Sequence, residues 1–484
     1  MNFGVIKYIY ALVLRFEAAF MALSLVVSLI YGEIRTALIF VVIIVGMVGI
    51  SLLLAYKKPD NSSFYAKEGL IAVSSSWILI SIFGALPFFI SGATPSFIDS
   101  IFETVSGFTT TGASILTDVE VMEKGLLFWR SFTHWIGGMG FLVFIMSILP
   151  MSGADPLHMM RAESPGPTTE KLVPKARQTA KILYTVYIGL TLLEIVFLLF
   201  GGMPLYDSVV HAFGTAGTGG FSIKNASIGA YNSVYIEVII TVFMALFGIN
   251  FSAYFLLLIK KFKRFITHEE TRIYLAIMLF SMLVIAINIS GTVYDSFAES
   301  LRYSSFSVSS VMTTTGYVTA DFSQWPTLSR YMLLLLMFIG ASAGSTGGGI
   351  KVSRFIIMFK SLKRESLRIL HPQAFRLIKL DKISLSEDVI NGTGTFMVVF
   401  FGITVVSILL VSLDGFDMES SVSAVAACIN NIGPGLGMVS PVGNYSGFSN
   451  FSKIVLTLDM LIGRLEVYPM LLLISPAIWH RKKI

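Results

Sequence analysis

The tetrapeptide Thr-Thr-Thr-Gly occurs twice in this chain, at residues 109–112 and again at residues 313–316. Each copy follows a short segment rich in Ser and aromatic residues, and two further segments align with them on a glycine. The four aligned segments are SGFTTTGAS (106–114), FGTAGTGGF (213–221), SVMTTTGYV (310–318) and ACINNIGPG (427–435), with reference glycines Gly112, Gly219, Gly316 and Gly433. A motif that returns at long, similar intervals indicates an internally repeated architecture.

The composition indicates an integral membrane protein. Hydrophobic residues make up 55% of the chain, charged residues make up 13%, and the mean hydropathy is +0.78, whereas an average soluble domain carries about 25% charge. Ten apolar runs reach about 20 residues, the length that crosses a bilayer. They lie near residues 5–31, 36–56, 69–92, 128–150, 179–202, 231–259, 271–293, 329–359, 389–413 and 452–478. The first run is too long for a cleaved signal peptide, so we expect a retained helix.

The basic residues predict the orientation of the chain. Most of the 35 Lys and Arg residues fall in alternate connections and at the carboxyl terminus, namely 57–67, 151–181, 260–272, 351–382 and 481–483. Cytoplasmic segments carry such an excess, so we expect a multi-pass protein of the cell (inner) membrane with both termini cytoplasmic. The basic charge is then explained by topology and by attraction to anionic membrane lipid, and no nucleic-acid partner is expected.

The segments before the four reference glycines are too short or too polar to cross a bilayer. They begin near Asp99, Asp207, Asp295 and Asp417, and an Asp can cap a helix amino terminus. A helix lying on the membrane surface would show one strongly charged face, but small and hydroxyl residues occur all round these segments. We therefore expect re-entrant pore loops, buried in protein at membrane depth, whose helix carboxyl ends favour a cation at the membrane centre.

The strands after the pore helices have the chemistry of a cation filter. Backbone carbonyls and threonine hydroxyls can replace the hydration shell of K⁺, and glycine permits the positive φ angles that such a strand needs. Four strands in one chain can surround one axis. We expect these residues to bind the cation: Thr110, Thr111, Gly112, Gly217, Thr218, Gly219, Thr314, Thr315, Gly316, Asn431, Ile432 and Gly433.

A glycine-rich run interrupts the second helix of the third repeat. Residues 340–349 read GASAGSTGGG, with five glycines in ten positions, and each glycine costs a helix interior about 1 kcal/mol relative to Ala. An unwound loop is therefore predicted there. The alternative is close packing of small residues, which suits the single glycines Gly137, Gly248 and Gly463. Arg464 lies at membrane depth, where a charge marks a pathway or a partner; an ion pair with Asp459 or Glu466 is the simpler explanation.

Three other classes of protein match parts of the sequence. Residues 340–344 satisfy G-x-S-x-G, but a serine hydrolase needs a histidine at the same depth, and only His134 lies in a span. GSTGGGIK at 344–351 misses the P-loop pattern because Ile350 separates Gly349 from the lysine. No enzyme is therefore expected. A secondary transporter with broken helices and ion-coupled alternating access is the main alternative, although such folds pair two halves rather than four tandem repeats.

The chain resembles the TrkH branch of the Trk/Ktr/HKT potassium transporters over essentially its whole length. The resemblance rests on the four repeats, on HWIGGMG at 134–140, GSTGGGIK at 344–351, NNIGPGLG at 430–437 and GRLEVYP at 463–469. It implies K⁺ as the transported ion, with no organic cofactor on this chain. It also implies a homodimer with one pore per protomer, gated by a cytosolic nucleotide-binding subunit of the TrkA type.

The resemblance further implies a gate below the filter. In the family the segment that matches 340–349 obstructs the path and moves on opening, beside a positively charged barrier. The gating residues implied here are Gly344, Ser345, Thr346, Gly347, Gly348, Gly349, Lys351 and Arg464.

The predicted fold class is an all-α integral membrane protein, with two N-terminal helices and four tandem helix–pore-loop–helix repeats around one pseudo-fourfold pore. We expect the two-helix region at 1–60. The four repeats are expected at 61–150, 151–264, 265–382 and 383–484, with the gating loop inside the third.

Overall fold

The computed structural model describes residues 3–56, 66–140, 176–372, 376–381 and 383–475. The helices are α1 (Phe3–Ile30), α2 (Ile34–Leu54), α3 (Ala66–Ser91), α4 (Phe97–Phe108), α5 (Lys124–Gly138), α6 (Ala176–Phe200), α7 (Leu205–Gly217), α8 (Val234–Phe247), α9 (Phe251–Leu258), α10 (Phe262–Ile266), α11 (Glu269–Ile289), α12 (Phe297–Met312), α13 (Thr327–Ile339), α14 (Val352–Leu370), α15 (Glu387–Val411), α16 (Met418–Ile429), α17 (Asn450–Arg464) and α18 (Tyr468–Ile474). Two short strands, β1 (Lys379–Leu380) and β2 (Ile383–Ser384), pair antiparallel. The described part of the chain is therefore mostly helical, as predicted.

Six helices in the described ranges are long and apolar enough to cross a membrane: α1, α2, α3, α6, α11 and α15. All six match predicted spans. The last four are the first helices of the four repeats, and α1 and α2 precede them. The two N-terminal helices are joined at membrane depth, where Ser51 donates to the carbonyl of Ala11 (2.9 Å) and accepts from Arg15 Nε (2.7 Å).

The second helices of the repeats differ from the predicted continuous spans. In the second repeat α8 and α9 form a pair bent by 92°. In the third repeat Gly340, at φ 69°, ends α13, and α14 begins only at Val352. In the fourth repeat α17 ends at Arg464 before α18 begins. The first repeat's second helix, α5, ends at Gly138, and its predicted continuation from residue 141 lies outside the described residues. Each second helix therefore stops or bends after 13 to 15 residues, a length of about 20–23 Å that is shorter than the roughly 30 Å core of a bilayer.

The four pore helices are α4, α7, α12 and α16, and each ends just before one of the aligned strands. Only one of the four expected Asp caps has formed: Asp417 accepts from the backbone N–H of Ser420 at the start of α16. Ser96 and Ser296 cap α4 and α12 instead, and Pro204 precedes α7. A serine hydroxyl satisfies the same free N–H groups without placing a charge there, which leaves Asp99 available for an ion pair.

Each second helix packs against the pore helix of the next repeat, and the fourth packs against the first. Polar contacts join the same pairs of helices. They are Tyr206 Oη to Lys124 O (2.7 Å), Arg302 to Glu237 (2.6 Å), Arg330 to Glu419 (2.8 Å) and Lys453 to Asp99 (2.7 Å). The last contact joins residues near opposite ends of the chain. The four repeats thus close into a ring within one polypeptide.

A network of charged groups joins α11, α14 and the hairpin on the face that carries most of the basic residues. Lys360 pairs with Glu269 and donates to the carbonyl of Lys379 (2.7 Å). Asp381 accepts from the backbone N–H of Glu269 (2.6 Å) and lies 3.3 Å from His268 Nε2. These contacts tie α14 to the start of α11.

The predicted repeat boundaries stay a prediction. Those after residues 60, 150 and 382 lie outside the described residues or at their edge, and the one after residue 264 falls inside α10.

Candidate functional site: a four-strand filter and an intramembrane loop

The four strands after the pore helices share one backbone signature. In each, a residue with a side chain adopts a left-handed conformation, and a glycine with positive φ follows two positions later. The pairs are Thr110 (56°) with Gly112 (78°), Thr218 (55°) with Gly220 (76°), Thr314 (60°) with Gly316 (80°), and Asn431 (57°) with Gly433 (91°). A left-handed residue outside glycine is uncommon, so its recurrence at four matching positions identifies equivalent strands.

The signature shifts the alignment of the second repeat by one residue. Gly220, not Gly219, takes the position of Gly112, and Gly219 takes that of Thr111. Gly217 is the last residue of α7. The sequence holds two adjacent glycines here, so an alignment on glycine alone could not choose between them.

The strands touch one another in cyclic order. A β-carbon on Gly112 would lie 2.0 Å from the carbonyl oxygen of Gly219, and one on Gly220 would lie 2.0 Å from that of Thr315. The circuit continues in the same way. A β-carbon on Gly316 would lie 2.0 Å from the carbonyl oxygen of Ile432, and one on Gly433 would lie 2.7 Å from that of Thr111. No side chain fits at these glycines, so backbone carbonyls from four repeats crowd around one axis.

A cavity of about 200 Å³ opens outside this ring, and all four glycines line it. Carboxylates stand near its rim. Asn225 donates to Asp118 (2.8 Å), and this hydrogen bond lowers the pKa of the Asp118 carboxyl. The backbone N–H of Asn225 and the ammonium of Lys224 likewise lower the pKa of Glu120. Both acids therefore stay anionic at neutral pH, and Lys224, which pairs with Glu120, lines the cavity itself.

A buried ion pair supports the first two strands from behind. Arg130 on α5 donates to Glu103 on α4 (2.6 Å) and to the carbonyl of Ser222 (3.0 Å). Its guanidinium lies 3.5 Å from the ring centre of Phe221. The Glu103 carboxylate also accepts from the backbone N–H of Ile115 (3.0 Å). One charged pair thus holds strands of two repeats in place.

His134 joins the same two repeats. The backbone N–H of Phe221 donates to His134 Nε2 (3.2 Å), so Nδ1 carries the proton and donates to the carbonyl of Gly107 (2.7 Å). The imidazole is fully buried. Its role here is structural, which removes the histidine that the hydrolase alternative needed.

Not every predicted filter side chain is free to bind a cation. Thr111 Oγ1 hydrogen bonds to Thr109 (2.8 Å) and accepts from Asn431 Nδ2 (3.0 Å), and Thr315 Oγ1 hydrogen bonds to Thr313 (2.8 Å). These hydroxyls brace the strands. The backbone carbonyls and the left-handed residues Thr110, Thr218, Thr314 and Asn431 remain as candidate ligands.

The segment 340–351 is unwound and lies directly beneath two strands. The backbone N–H of Gly348 donates to Thr314 Oγ1 (2.6 Å). A β-carbon on Gly348 would lie 2.5 Å from the carbonyl oxygen of Asn430, and one on Gly347 would lie 2.9 Å from that of Thr313. We call residues 340–351 the intramembrane loop; only glycine permits so close an approach to the strands.

Two buried basic side chains hold the loop. Lys351 Nζ donates to the carbonyl of Gly347. Arg464 donates to Thr346 O (2.9 Å) and, across the path, to the carbonyls of Gly137 (2.5 Å) and Gly138 (2.6 Å). The acids considered as its ion-pair partners have other contacts, because Glu466 pairs with Arg354 (2.5 Å) and Asp459 accepts from Ser407 (2.7 Å). Arg464 therefore bridges the loop to the end of α5.

One carboxylate fixes both ends of the loop. Glu270 Oε1 accepts from the backbone N–H of Ala343 (2.6 Å) and from that of Ser353 (3.2 Å). Glu270 is buried and lies one residue after Glu269, which belongs to the charged network of α14 and the hairpin. Glu270 thus links the loop to the charged network at the start of α11.

Close packing explains the single glycines of the second helices, as the alternative suggested. A β-carbon would lie 1.8 Å from the carbonyl oxygen of Phe108 at Gly137, and 2.0 Å from that of Ile429 at Gly463. At Gly248 it would lie 2.4 Å from Tyr274 Oη. The helices meet the ends of the pore helices at these points.

Sequence reasoning missed four charged groups that support the site. Glu103, Arg130, Glu270 and Lys453 are all buried and all make the contacts described above. Each lies in or beside an apolar run, where a charge signals a partner. That signal identifies the residues but cannot pair them, since the partners are distant in sequence.

These features define a class: a multi-pass membrane protein in which four equivalent backbone segments of one chain form a ring next to an unwound, glycine-rich loop. A family model described as "TrkH: Cation transport protein" matches residues 34–481. The chain belongs to the TrkH family of cation transport proteins.

Similar proteins match along nearly the whole chain. The Trk system potassium uptake protein TrkH of Salmonella typhimurium is 35% identical over 488 residues, covering 99% of this chain and 100% of that protein. The Trk system potassium uptake protein TrkG of Escherichia coli is 34% identical, covering 87% of each. The crystal structure of the potassium transporter TrkH from Vibrio parahaemolyticus superposes with a TM-score of 0.88 at 31% identity, covering 99% of this chain and 100% of that one.

Proposed function

We propose that this protein takes up K⁺ across the cell membrane through a channel-like filter. The observation that carries the proposal is the closed circuit of glycine–carbonyl contacts, from Gly112 through the second, third and fourth strands back to Thr111. Such a ring can replace the hydration shell of a cation with carbonyl oxygens. The names of the relatives, which are potassium uptake proteins, support K⁺ as the ion.

The pore helices add to the attraction. All four end at the ring, so the negative ends of their dipoles point toward a cation there. We propose that the ligands are the carbonyls and left-handed residues of the four strands, with Gly220 added to the residues expected from sequence. The four strands differ in side chains, so the ring is only pseudo-symmetric.

The intramembrane loop is the proposed gate. It lies between the filter and the cytoplasmic network, and Lys351 and Arg464 place positive charge beside it. A path that is both obstructed and electrostatically unfavourable for a cation is closed. Residues 344–349 would have to move away from the strands for K⁺ to pass.

Membership of the TrkH family supports a proposal on regulation and assembly. We propose a homodimer with one pore in each protomer, and a cytosolic nucleotide-binding subunit of the TrkA type that contacts the basic face of α14. Both termini would lie on that cytoplasmic side. The contact from Glu270 to the loop supplies a short route from this face to the gate.

Purified protein in liposomes tests the proposal. With the TrkA-type subunit added, or in the variant that lacks residues 344–349, a K⁺ gradient should drive K⁺ flux at channel rates, with K⁺ favoured over Na⁺. The second candidate, ion-coupled alternating access, is favoured only by the broken second helices. Flux that saturates at carrier-like turnover and requires a second ion gradient would support that candidate and overturn conduction.

A further inference from the structure

We propose that Thr314 is shared between the filter and the gate: its hydroxyl holds the closed loop, and it becomes a ligand of the innermost cation site when the loop leaves. The inference rests on the proposed function and adds to it. Its consequence is that K⁺ bound at the inner end of the filter destabilises the closed loop, and that the closed loop weakens K⁺ binding there.

The geometry of Thr314 starts the argument. It is fully buried, it follows the end of α12, and it holds a left-handed backbone that fixes where its side chain can lie. Its hydroxyl oxygen accepts from the backbone N–H of Gly348 at 2.6 Å. This bond is a direct link between the filter and the loop.

The equivalent positions in the other strands are not bound to the loop in this way. Thr110 Oγ1 has no hydrogen-bond partner within the described part of the chain. Thr218 Oγ1 donates to the carbonyl of Gly217 (2.6 Å). At Asn431 the amide nitrogen donates to Thr111 and Met460, while Oδ1 lacks a partner among the described residues. Thr314 therefore differs from its three counterparts by its bond to the loop.

Buried oxygens that accept no hydrogen bond indicate which kind of ligand this level of the filter binds. Thr110 Oγ1 and Asn431 Oδ1 are buried acceptors, and a buried acceptor without a partner is unfavourable. A cation would satisfy both, together with the hydroxyl of Thr314. These side chains follow the carboxyl ends of three pore helices, where a positive charge is favoured.

The closed loop works against that cation. An amide N–H presents the positive end of its dipole, so Gly348 N–H and a dehydrated cation compete for one oxygen. Coupling of this kind is reciprocal: K⁺ in the inner site weakens the closed loop to the extent that the closed loop weakens K⁺ binding. Binding of K⁺ in the filter would then favour opening of the gate even when the cytosolic partner is absent.

Hydrogen exchange of the loop measures this coupling without measuring transport. We would follow amide exchange of residues 344–349 in the purified full chain, in KCl and in N-methylglucamine chloride at equal ionic strength. Thr314→Val removes the hydroxyl, Thr314→Ser keeps it, and Thr110→Val removes the matching hydroxyl that does not contact the loop. Valine replaces the hydroxyl with a methyl group of similar size.

In the parent protein K⁺ should accelerate loop exchange by about threefold to tenfold, the range that one hydrogen bond accounts for. Thr314→Val should exchange fast with or without K⁺, and Thr314→Ser should behave like the parent. Thr110→Val should exchange slowly without K⁺ and need more K⁺ for the same acceleration. This pattern would assign the link to the Thr314 hydroxyl.

Slow exchange in Thr314→Val, a K⁺ response in that variant equal to the parent's, or no response in the parent would each overturn the coupling. The same preparation is also assayed for K⁺ flux in liposomes. Flux without a loop response would leave the proposed function standing and remove the shared ligand. No K⁺ flux, with the protein folded and the TrkA-type subunit added, would remove the proposed function itself.

Discussion

At the scale of the residue, the ring glycines leave no room for substitution. Gly112 has φ 78°, and a β-carbon there would meet the carbonyl oxygen of Gly219 at 2.0 Å. We expect Gly112→Ser to displace that carbonyl and to lower the K⁺-to-Na⁺ selectivity by about tenfold or more, because about 1.4 kcal/mol of differential binding corresponds to tenfold. Competition between the two ions in liposome uptake measures it.

A matched control is Gly392→Ser, since Gly392 lies on α15 with open space around it. Its selectivity should equal that of the parent. Unchanged selectivity in Gly112→Ser, with normal insertion, would contradict the assigned role of this strand.

Individual residues also mark the limit of what the sequence predicts. The Thr-Thr-Thr-Gly pattern marks the first and third strands, and alignment on a glycine after a short polar segment pointed to the second and fourth. It could not set the register at Gly219 and Gly220, where two glycines satisfy the same pattern. Backbone φ angles decide between them, and these depend on neighbouring strands.

At the scale of the element, the intramembrane loop should be a removable obstruction. A fixed charge repels a cation by about 4 kcal/mol at 4 Å and an effective dielectric of 20. Arg464→Ala, or deletion of residues 344–349, should therefore raise partner-independent K⁺ flux at least about tenfold. Selectivity should change little, because the ring above is intact. Liposome flux without the partner, compared with K⁺-to-Na⁺ competition, gives both readouts.

Arg364→Ala serves as a control for Arg464→Ala, since Arg364 pairs with the exposed Glu387 on the surface of α14. It should conduct like the parent. If the Arg464 variant and the deletion both insert normally and conduct no faster than the control, the gate lies elsewhere.

Helix continuity could be predicted only in part. Hydropathy identified the six long spans because their apolar runs are uninterrupted. It also suggested continuous second helices at 231–259 and 329–359, since apolar residues lie on both sides of the breaks. Hydropathy does not report tertiary contacts at the breaks, such as that of Gly248 with Tyr274, and only the glycine-rich run at 340–349 indicated a break from sequence.

At the scale of the molecule, the ion pair between Lys453 and Asp99 closes the ring of repeats. Both side chains are buried, at 8% and 7% exposure. Removing one partner of a buried pair leaves an uncompensated charge and costs about 3–5 kcal/mol. Lys453→Met should therefore lower the thermal unfolding temperature strongly, and Asp99→Asn added to it should restore part of the loss. Thermal unfolding in detergent checks both.

Lys224→Ala is the comparison for Lys453→Met, because its pair with Glu120 is exposed at 37% and 43% and such pairs contribute less than about 1 kcal/mol. Equal losses in the two single variants would show that the ring does not depend on its closing pair.

The regulatory subunit should bind the Lys- and Arg-rich surface of α14 through basic side chains that are not already held in close ion pairs. Lys360 and Arg364 already pair with Glu269 and Glu387, whereas Lys363 is exposed and Arg368 makes only a 3.4 Å contact with Glu365. Charge reversal at Lys363 and Arg368 should weaken binding of a TrkA-type subunit by about tenfold or more, as measured by pull-down titration.

The same charge change at Lys260 and Lys263, also exposed, separates docking from attraction to lipid. It should reduce membrane attraction equally and partner binding much less. Equal partner affinity in all variants would contradict docking on α14.

Because the ring is formed by one chain, a single mutation changes only one of its four repeats. In a pore assembled from identical subunits, one codon change alters every position of the ring at once. Here the four left-handed positions are Thr110, Thr218, Thr314 and Asn431, so each repeat encodes its own residue at this position. Ion preference in such a protein can drift in increments of one ligand, and a variant that would abolish conduction in a fourfold assembly can persist here as a graded change.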